Sequence, residues 1–232
     1  MKRLIRFLRD FFRVKKCAVC GAVIDESHRD LCRNCEKDYD KLLRETCFSC
    51  GAEAPFCRCD TDVSIGSDRQ TSLFFLRSGF SRRLVYSLKR QGRRRTVDFL
   101  TGELAEVVDR AKGETNLSAF VITYIPRRKK SIRHYGFDQT ELLATALSKR
   151  LSIPLVRAFR HTGRAVQKKK SKRDRKENAE KSYVLLPSVP VEGKNWILLD
   201  DVITTGSTMR AGARLLKQNG AGIVWAISVA KS

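Results

Sequence analysis

The sequence predicts an α/β fold: a mostly parallel sheet flanked by helices, preceded by a small cysteine-rich module. Three observations carry this reading. β-like and helix-like stretches alternate from residue 73 onward, the pattern of parallel strands with helices crossing both faces. All eight cysteines fall between Cys17 and Cys59, and the rest of the chain has none. An aliphatic run at 196–202 passes into two adjacent acids and a Thr/Gly/Ser loop.

At 232 residues the chain is long enough to bury a core, and 42% hydrophobic residues exclude wholesale disorder. No stretch reaches the roughly 18 apolar residues of a membrane span. The Arg-studded start has no small-residue cleavage site, so the reading is a cytoplasmic protein. Residues 1–16 form a basic amphipathic segment, with Leu4, Ile5, Leu8, Phe11 and Phe12 on one helical face. It either docks on the body of the protein or makes a peripheral contact with an anionic membrane at its inner face.

Residues 17–60 hold the cysteines, and the polar stretch 61–72 reads as a linker. The remaining domain, 73–232, begins with a strand over 72–76. Helices follow over 81–90 and 96–109, split by the basic turn Gln91–Arg95. The β-branched run 119–125 is a buried strand ended by Pro126. An amphipathic helix covers 137–151, and short strands cover 153–156 and 182–186. Between these two strands, nine Lys or Arg fall within residues 160–176, which predicts a mobile surface loop. A buried strand at 196–202, a helix at 207–218 stopped by Gly220 and a strand at 222–230 complete the domain.

The cysteines come in four pairs: Cys17/Cys20, Cys32/Cys35, Cys47/Cys50 and Cys57/Cys59. A C-x2-C turn lets two thiolates reach one tetrahedral zinc, and Gly21 and Gly51 follow two of the pairs. Four pairs make two four-thiolate sites, a double zinc ribbon. Neighbouring pairs sharing a zinc is the first expectation, and interleaved pairing fits the spacing too. A closed four-thiolate site is structural, and each zinc stabilises such a module by roughly 10–16 kcal/mol.

Trp196 to Thr208 carries the chemistry. A strand ends in Asp200 and Asp201, and Thr204, Thr205, Gly206, Ser207 and Thr208 lead into a helix. Backbone amides at a helix start, with hydroxyls beside them, make an anion site, and Gly206 lets the backbone approach a phosphate. Two carboxylates beside a phosphate suit a sugar with vicinal hydroxyls or a bridging Mg²⁺. The residues alone point to a ribose 5-phosphate site at the carboxyl end of a strand.

Charge points to a second ligand. The chain carries 47 Lys plus Arg against 25 Asp plus Glu. Residues 63–232 hold 34 of the basic and 14 of the acidic residues, concentrated at 89–95, 127–133 and 164–176. Such a balance fits a polyanion, a DNA single strand among them. Only Tyr135 and Phe137 adjoin one of these runs, so phosphate binding is expected over base stacking.

The stretch Trp196–Thr208 also resembles the thirteen-residue PRPP-binding motif of type I phosphoribosyltransferases. With cysteine pairs ahead of it, the chain is similar over residues 17–230 to the ComF family, a double zinc ribbon fused to a phosphoribosyltransferase-like domain. Lys89 and Gly92 fit a K-x-x-G element of that family. Gly136, Phe137, Gln139, Glu141, Leu142 and Leu143 fit a second segment. Gln167, Arg175 and Asn178 fit a spaced pattern in the mobile loop, followed by the aromatic Tyr183. Tyr135 stands where the family usually has Arg, and Asp138 where it has Asn.

The resemblance implies that Asp200 and Asp201 hold the ribose hydroxyls of PRPP, that Thr204–Thr208 cradle its 5-phosphate, and that Pro126, Arg127 and Arg128 lie on the pyrophosphate side. It implies a protein of natural competence and DNA uptake, with single-stranded DNA as ligand and a helicase-like ATPase as partner. Two other readings stand beside this one. The chain is a Mg²⁺-dependent phosphoribosyltransferase in which Asp200 and Asp201 are catalytic and an unidentified nitrogen nucleophile is the acceptor. Or it is an adaptor whose zinc ribbons dock the ATPase.

Overall fold

The computed structural model describes residues 15–25, 30–57, 66–91, 94–113, 115–162 and 182–232. The expected helix within residues 1–16 falls largely outside these, as do Gln167, Arg175 and Asn178 of the expected mobile loop. Among the described residues, no helix is long and apolar enough to cross a membrane.

The centre is a four-stranded, all-parallel sheet. In chain order its strands are β1 (Arg69–Phe75), β2 (Phe120–Tyr124), β5 (Asn195–Ile203) and β6 (Val224–Lys231), laid side by side as β1-β6-β5-β2. The register pairs Thr71 with Ile227, Leu199 with Ile227, and Ile122 with Ile197. Each central strand feeds both faces, as a doubly covered parallel sheet requires. Ile197, Leu199, Trp225 and Ile227 join one buried cluster, and Trp196, Leu198, Val224 and Ala226 join the other.

The first face is covered by α2 (Gly79–Gln91), α3 (Arg94–Ala111) and α5 (Gln139–Leu151), through Leu84, Leu88, Leu100, Leu104, Leu143 and Leu147. The second is covered by α6 (Ser207–Gln218), through Met209, Ala213 and Leu216. Gly212 is the point of closest approach. A Cβ there would lie 2.8 Å from Ile125 Cδ1 and 3.0 Å from Leu198 Cδ2.

Several expectations need correction. β1 begins at Arg69, so residues 69–72 belong to the sheet and not to the linker 61–72. Polar Gln70, Thr71 and Ser72 hid it, yet all three are buried, and Ser72 and Thr71 bond Ser228 and Trp225 Nε1 at 2.8 and 2.9 Å. Residues 153–156 form no full strand: Leu155 makes a single bridge to Ile122. The strand lies just beyond, β3 (Phe159–His161), antiparallel to β4 (Tyr183–Leu185). A short helix, α4 (Lys129–Tyr135), follows the Pro126 turn, capped by Gly136 at φ 80°.

The cysteine block is joined to the sheet domain by packing. It contains α1 (Arg33–Leu43), whose Cys35, Tyr39 and Leu42 are buried. Tyr39 meets Phe99 edge-on at 5.1 Å between centroids and donates to Glu103 Oε2 at 3.0 Å. Thr96 Oγ1 donates to the Ala18 carbonyl at 2.6 Å. Further along, Cys47, Ala54 and Cys57 pack on Phe75, and Lys231 Nζ donates to the Cys57 carbonyl at 3.1 Å. The apolar poverty of the block is therefore offset by a core it shares with α2 and α3.

Candidate functional site

The two cysteine clusters, each able to hold a metal ion, are built on one repeated turn. Gly21 N donates to the Cys17 carbonyl at 3.0 Å, and Gly51 N to the Cys47 carbonyl at 2.9 Å. Gly21 has φ 78° and Gly51 φ 69°, the left-handed backbone that glycine adopts without strain. Lys16–Val23 and Thr46–Glu53 bridge antiparallel around the two turns.

Cys17, Cys20, Cys32 and Cys35 bring their sulfurs within 4.8 Å of one another, and so do Cys47, Cys50 and Cys57. Neighbouring pairs therefore group together, which decides against interleaving for these seven. Cys59, expected as the eighth ligand, lies outside the described residues.

The geometry fits zinc. Sulfurs about 2.3 Å from a tetrahedral metal stand about 3.8 Å apart. Cys20 and Cys32 lie at 3.7 Å, and Cys50 and Cys57 at 3.8 Å. Amides prepare the thiolates. Backbone bonds from Cys50 and Ser49 bring the Cys47 thiol down to about 6. Burial pushes the Cys17 thiol up, but bonds from Cys20, Cys32 and Val19 outweigh it and leave it at about 7. Burial drives Cys35 upward, so a bound cation is what would ionise the whole set.

The second site lies at the carboxyl edge of the sheet. β5 delivers Asp200 and Asp201 there, and Gly206, at φ 66°, turns the chain into α6. Thr204 and Thr205 are exposed, Ser207 is buried, and the Thr205 and Ser207 hydroxyls bond at 2.9 Å. Asp201 N donates to Asp200 Oδ1 at 2.8 Å, which fixes one carboxylate against the other's backbone. Burial and the neighbouring Asp201 carboxylate push Asp200 well above the usual carboxylate range.

Two residues that matched the family segments meet at Asp201. Gln139 Nε2 donates to Asp201 Oδ2 at 2.6 Å, and Lys89 Nζ stands 3.4 Å from the same oxygen. Gln139 is 5% exposed, and its Oε1 has no hydrogen-bond partner among the described residues. An orphaned buried acceptor is costly unless a ligand donates to it.

Asp138 caps α5, accepting from Thr140 N at 3.0 Å, and its other oxygen accepts from Arg127 N at 2.7 Å. Burial pushes its carboxyl up against the pull of these amides. Arg127 donates to the Lys89 carbonyl at 3.4 Å, and its guanidinium lies over the Tyr135 ring at 4.5 Å. Pro126 is buried and Arg128 exposed at the start of α4.

Thus Asp200, Asp201, Pro126, Arg127 and the 204–208 loop share one edge of the sheet. In the sequence Lys89 stands out as a motif match and as the start of a basic run, and Gln139 only as a motif match; neither points to Asp201. Position supplies that link: three elements far apart in the chain converge on one carboxylate. The carboxylate pair and the Gln139 oxygen are hard oxygen donors, suited to Mg²⁺ or to sugar hydroxyls.

Comparison with known proteins agrees with this geometry. Residues 140–232 match the family described as "Phosphoribosyl transferase domain". A "DNA utilization protein YhgH" of Salmonella typhimurium is 30% identical over 90% of this chain and 93% of that protein. The same-named protein of Escherichia coli K12 is 33% identical over 61% of this chain, and that alignment spans 63% of the relative's length. "Competence protein ComFC" of Bacillus subtilis is 26% identical over 82% of this chain and 79% of its own. With a cysteine module packed on a phosphoribosyltransferase-like sheet, the chain belongs to the ComF family of competence and DNA-utilization proteins.

Proposed function

We propose that the protein binds PRPP or ribose 5-phosphate at the carboxyl edge of its sheet and a DNA single strand on the basic surface beside it. The observation that carries the first half is the set of acceptors around Asp201. Two carboxylates and the unpartnered Gln139 Oε1 stand ahead of the helix start at Ser207. Vicinal ribose hydroxyls can donate to the acceptor positions that Gln139 Nε2, Lys89 and the Asp201 amide leave open, while the 204–208 loop supplies donors for the 5-phosphate. Asp200 and Asp201 would hold Mg²⁺, which neutralises the diphosphate of PRPP. Pro126, Arg127 and Arg128 lie where that diphosphate would extend.

The second half rests on charge. The basic runs at 89–95 and 127–133 are distant in sequence, yet Lys89 and Arg127 are joined by a hydrogen bond. Basic residues from two distant parts of the chain, Lys89 and Arg127, therefore meet beside the proposed ribose-phosphate site. The relatives are named for competence and DNA utilization, which supports DNA as the polyanion.

Calorimetry of the zinc-loaded protein with PRPP and Mg²⁺ tests the reading. Binding by the wild type and none by the Asp200→Ala/Asp201→Ala double variant is expected. The titration repeated with an oligonucleotide present reads the coupling, which must be equal in both directions. No binding of PRPP by the wild type overturns the first half.

A further inference from the structure

We propose that a cleft between α2 and α4, next to the ribose-phosphate site, seats one nucleobase of a DNA single strand. The cleft has a volume of about 350 Å³, on the scale of a small-ligand pocket. Arg82, Val85, Tyr86 and Lys89 line it from α2, and Arg127 and Tyr135 line it from the turn after β2 and the end of α4. It holds two phenol rings, three cations and an aliphatic floor. An apolar-walled slot with two rings and a cationic rim has the chemistry of a flat heterocycle carried on a phosphate backbone.

The placement of these groups favours a base over a bare anion. Tyr86 is 53% exposed, an unusual position for a large ring. Tyr135 is stacked against the Arg127 guanidinium at 4.5 Å, which holds ring and cation as one platform. Arg127 is fixed in turn by its amide bond to Asp138 and its side-chain bond to the Lys89 carbonyl. A phosphate alone needs the cations and gains nothing from the rings. A base gains from both, because aromatic stacking is sequence-tolerant while Arg and Lys follow the backbone.

Sequence alone favours phosphate binding over stacking, because Tyr86 lies outside every basic run. The fold brings it beside Tyr135. Lys89 also ties the cleft to its neighbour, since its carbonyl accepts from Arg127 and its ammonium pairs with Asp201. A strand seated here would touch the same lysine that faces the ribose-phosphate pocket.

This inference rests on the DNA-binding half of the proposed function, and the test separates the two. Anisotropy titrations of a labelled oligothymidylate are run against wild type, Tyr86→Leu and Tyr86→Phe, with unchanged melting temperatures as the control for folding. An oligonucleotide of the same length made wholly of abasic sites is the second probe. The expected result is about a tenfold loss of affinity in Tyr86→Leu, wild-type affinity in Tyr86→Phe, and no difference between the variants on the abasic strand. The salt dependence should be the same for all three proteins, since no phosphate contact is removed. Equal affinity of Tyr86→Leu and wild type for oligothymidylate overturns the base site and leaves the basic patch standing. Failure of the wild type to bind either strand at low salt overturns both.

Discussion

Lys89 Nζ stands 3.4 Å from Asp201 Oδ2, an ion pair formed across the carboxyl edge of the sheet by a helix that leaves the opposite end of the strand order. The lysine is over one-third exposed and the carboxylate is buried, so the pair is neither a bare surface contact nor a sealed one. Lys89→Met leaves two carboxylates facing an incoming anion without that counter-charge. Calorimetry in Mg²⁺-free buffer should show ribose 5-phosphate binding about tenfold weaker, the scale of one charge-assisted hydrogen bond. Unchanged affinity would place Lys89 outside the pocket.

Asp200 should cost the fold stability for the sake of its site. Its pKa is raised by burial and by Asp201, so the folded state holds a proton the unfolded chain has released. The stability it contributes is complete below the unfolded value and is lost as pH rises through the folded one. Above the unfolded value that contribution is being lost, so at neutral pH Asp200→Asn should melt higher than wild type. The gap should shrink as pH falls toward 4, and PRPP binding should be lost.

Gly212 sets the distance between α6 and the sheet. Val at this position drives methyl groups into Ile125 and Leu198, both fully enclosed. The expected cost is about 3 kcal/mol in urea unfolding, at the upper end for an overpacked core. Because α6 begins at the 204–208 loop, ribose 5-phosphate affinity should fall as well, although Gly212 is six residues from Gly206.

Removing metal should not release a separate module. Tyr39, Thr96, Phe75 and Lys231 join the cysteine block to the sheet domain at several points. Elemental analysis should find two zinc ions per chain. A strong chelator should lower a single cooperative melting transition, followed through the buried Trp196 and Trp225. Two separate transitions would show that the contacts do not couple the parts.

The elements that could be read from the sequence were those whose environment is uniform. β5 carries the apolar run Trp196–Leu199 ahead of its two acids and β6 the apolar run Val224–Ile227, and α6 begins at Ser207 as its loop requires. The polar start of β1 could not be read, because Gln70, Thr71 and Ser72 are buried by partners elsewhere in the chain. The acids and the phosphate loop were legible because they are contiguous. Lys89, Gln139 and Tyr86 acquire their roles only when α2 and α5 are laid over the edge of the sheet.

β6 follows the other described strands in the chain, yet it lies between β1 and β5, and among the described residues it is the strand that pairs with β1. Until Val224–Lys231 emerges, β1 lacks its β6 partner and β5 is open along one side. Commitment to this sheet is therefore delayed until Val224–Lys231 has been made. Such open edges are aggregation hazards while translation lasts. A nascent chain stalled short of residue 224 should need a chaperone, and release of those eight residues should close the sheet and the Lys231–Cys57 contact together.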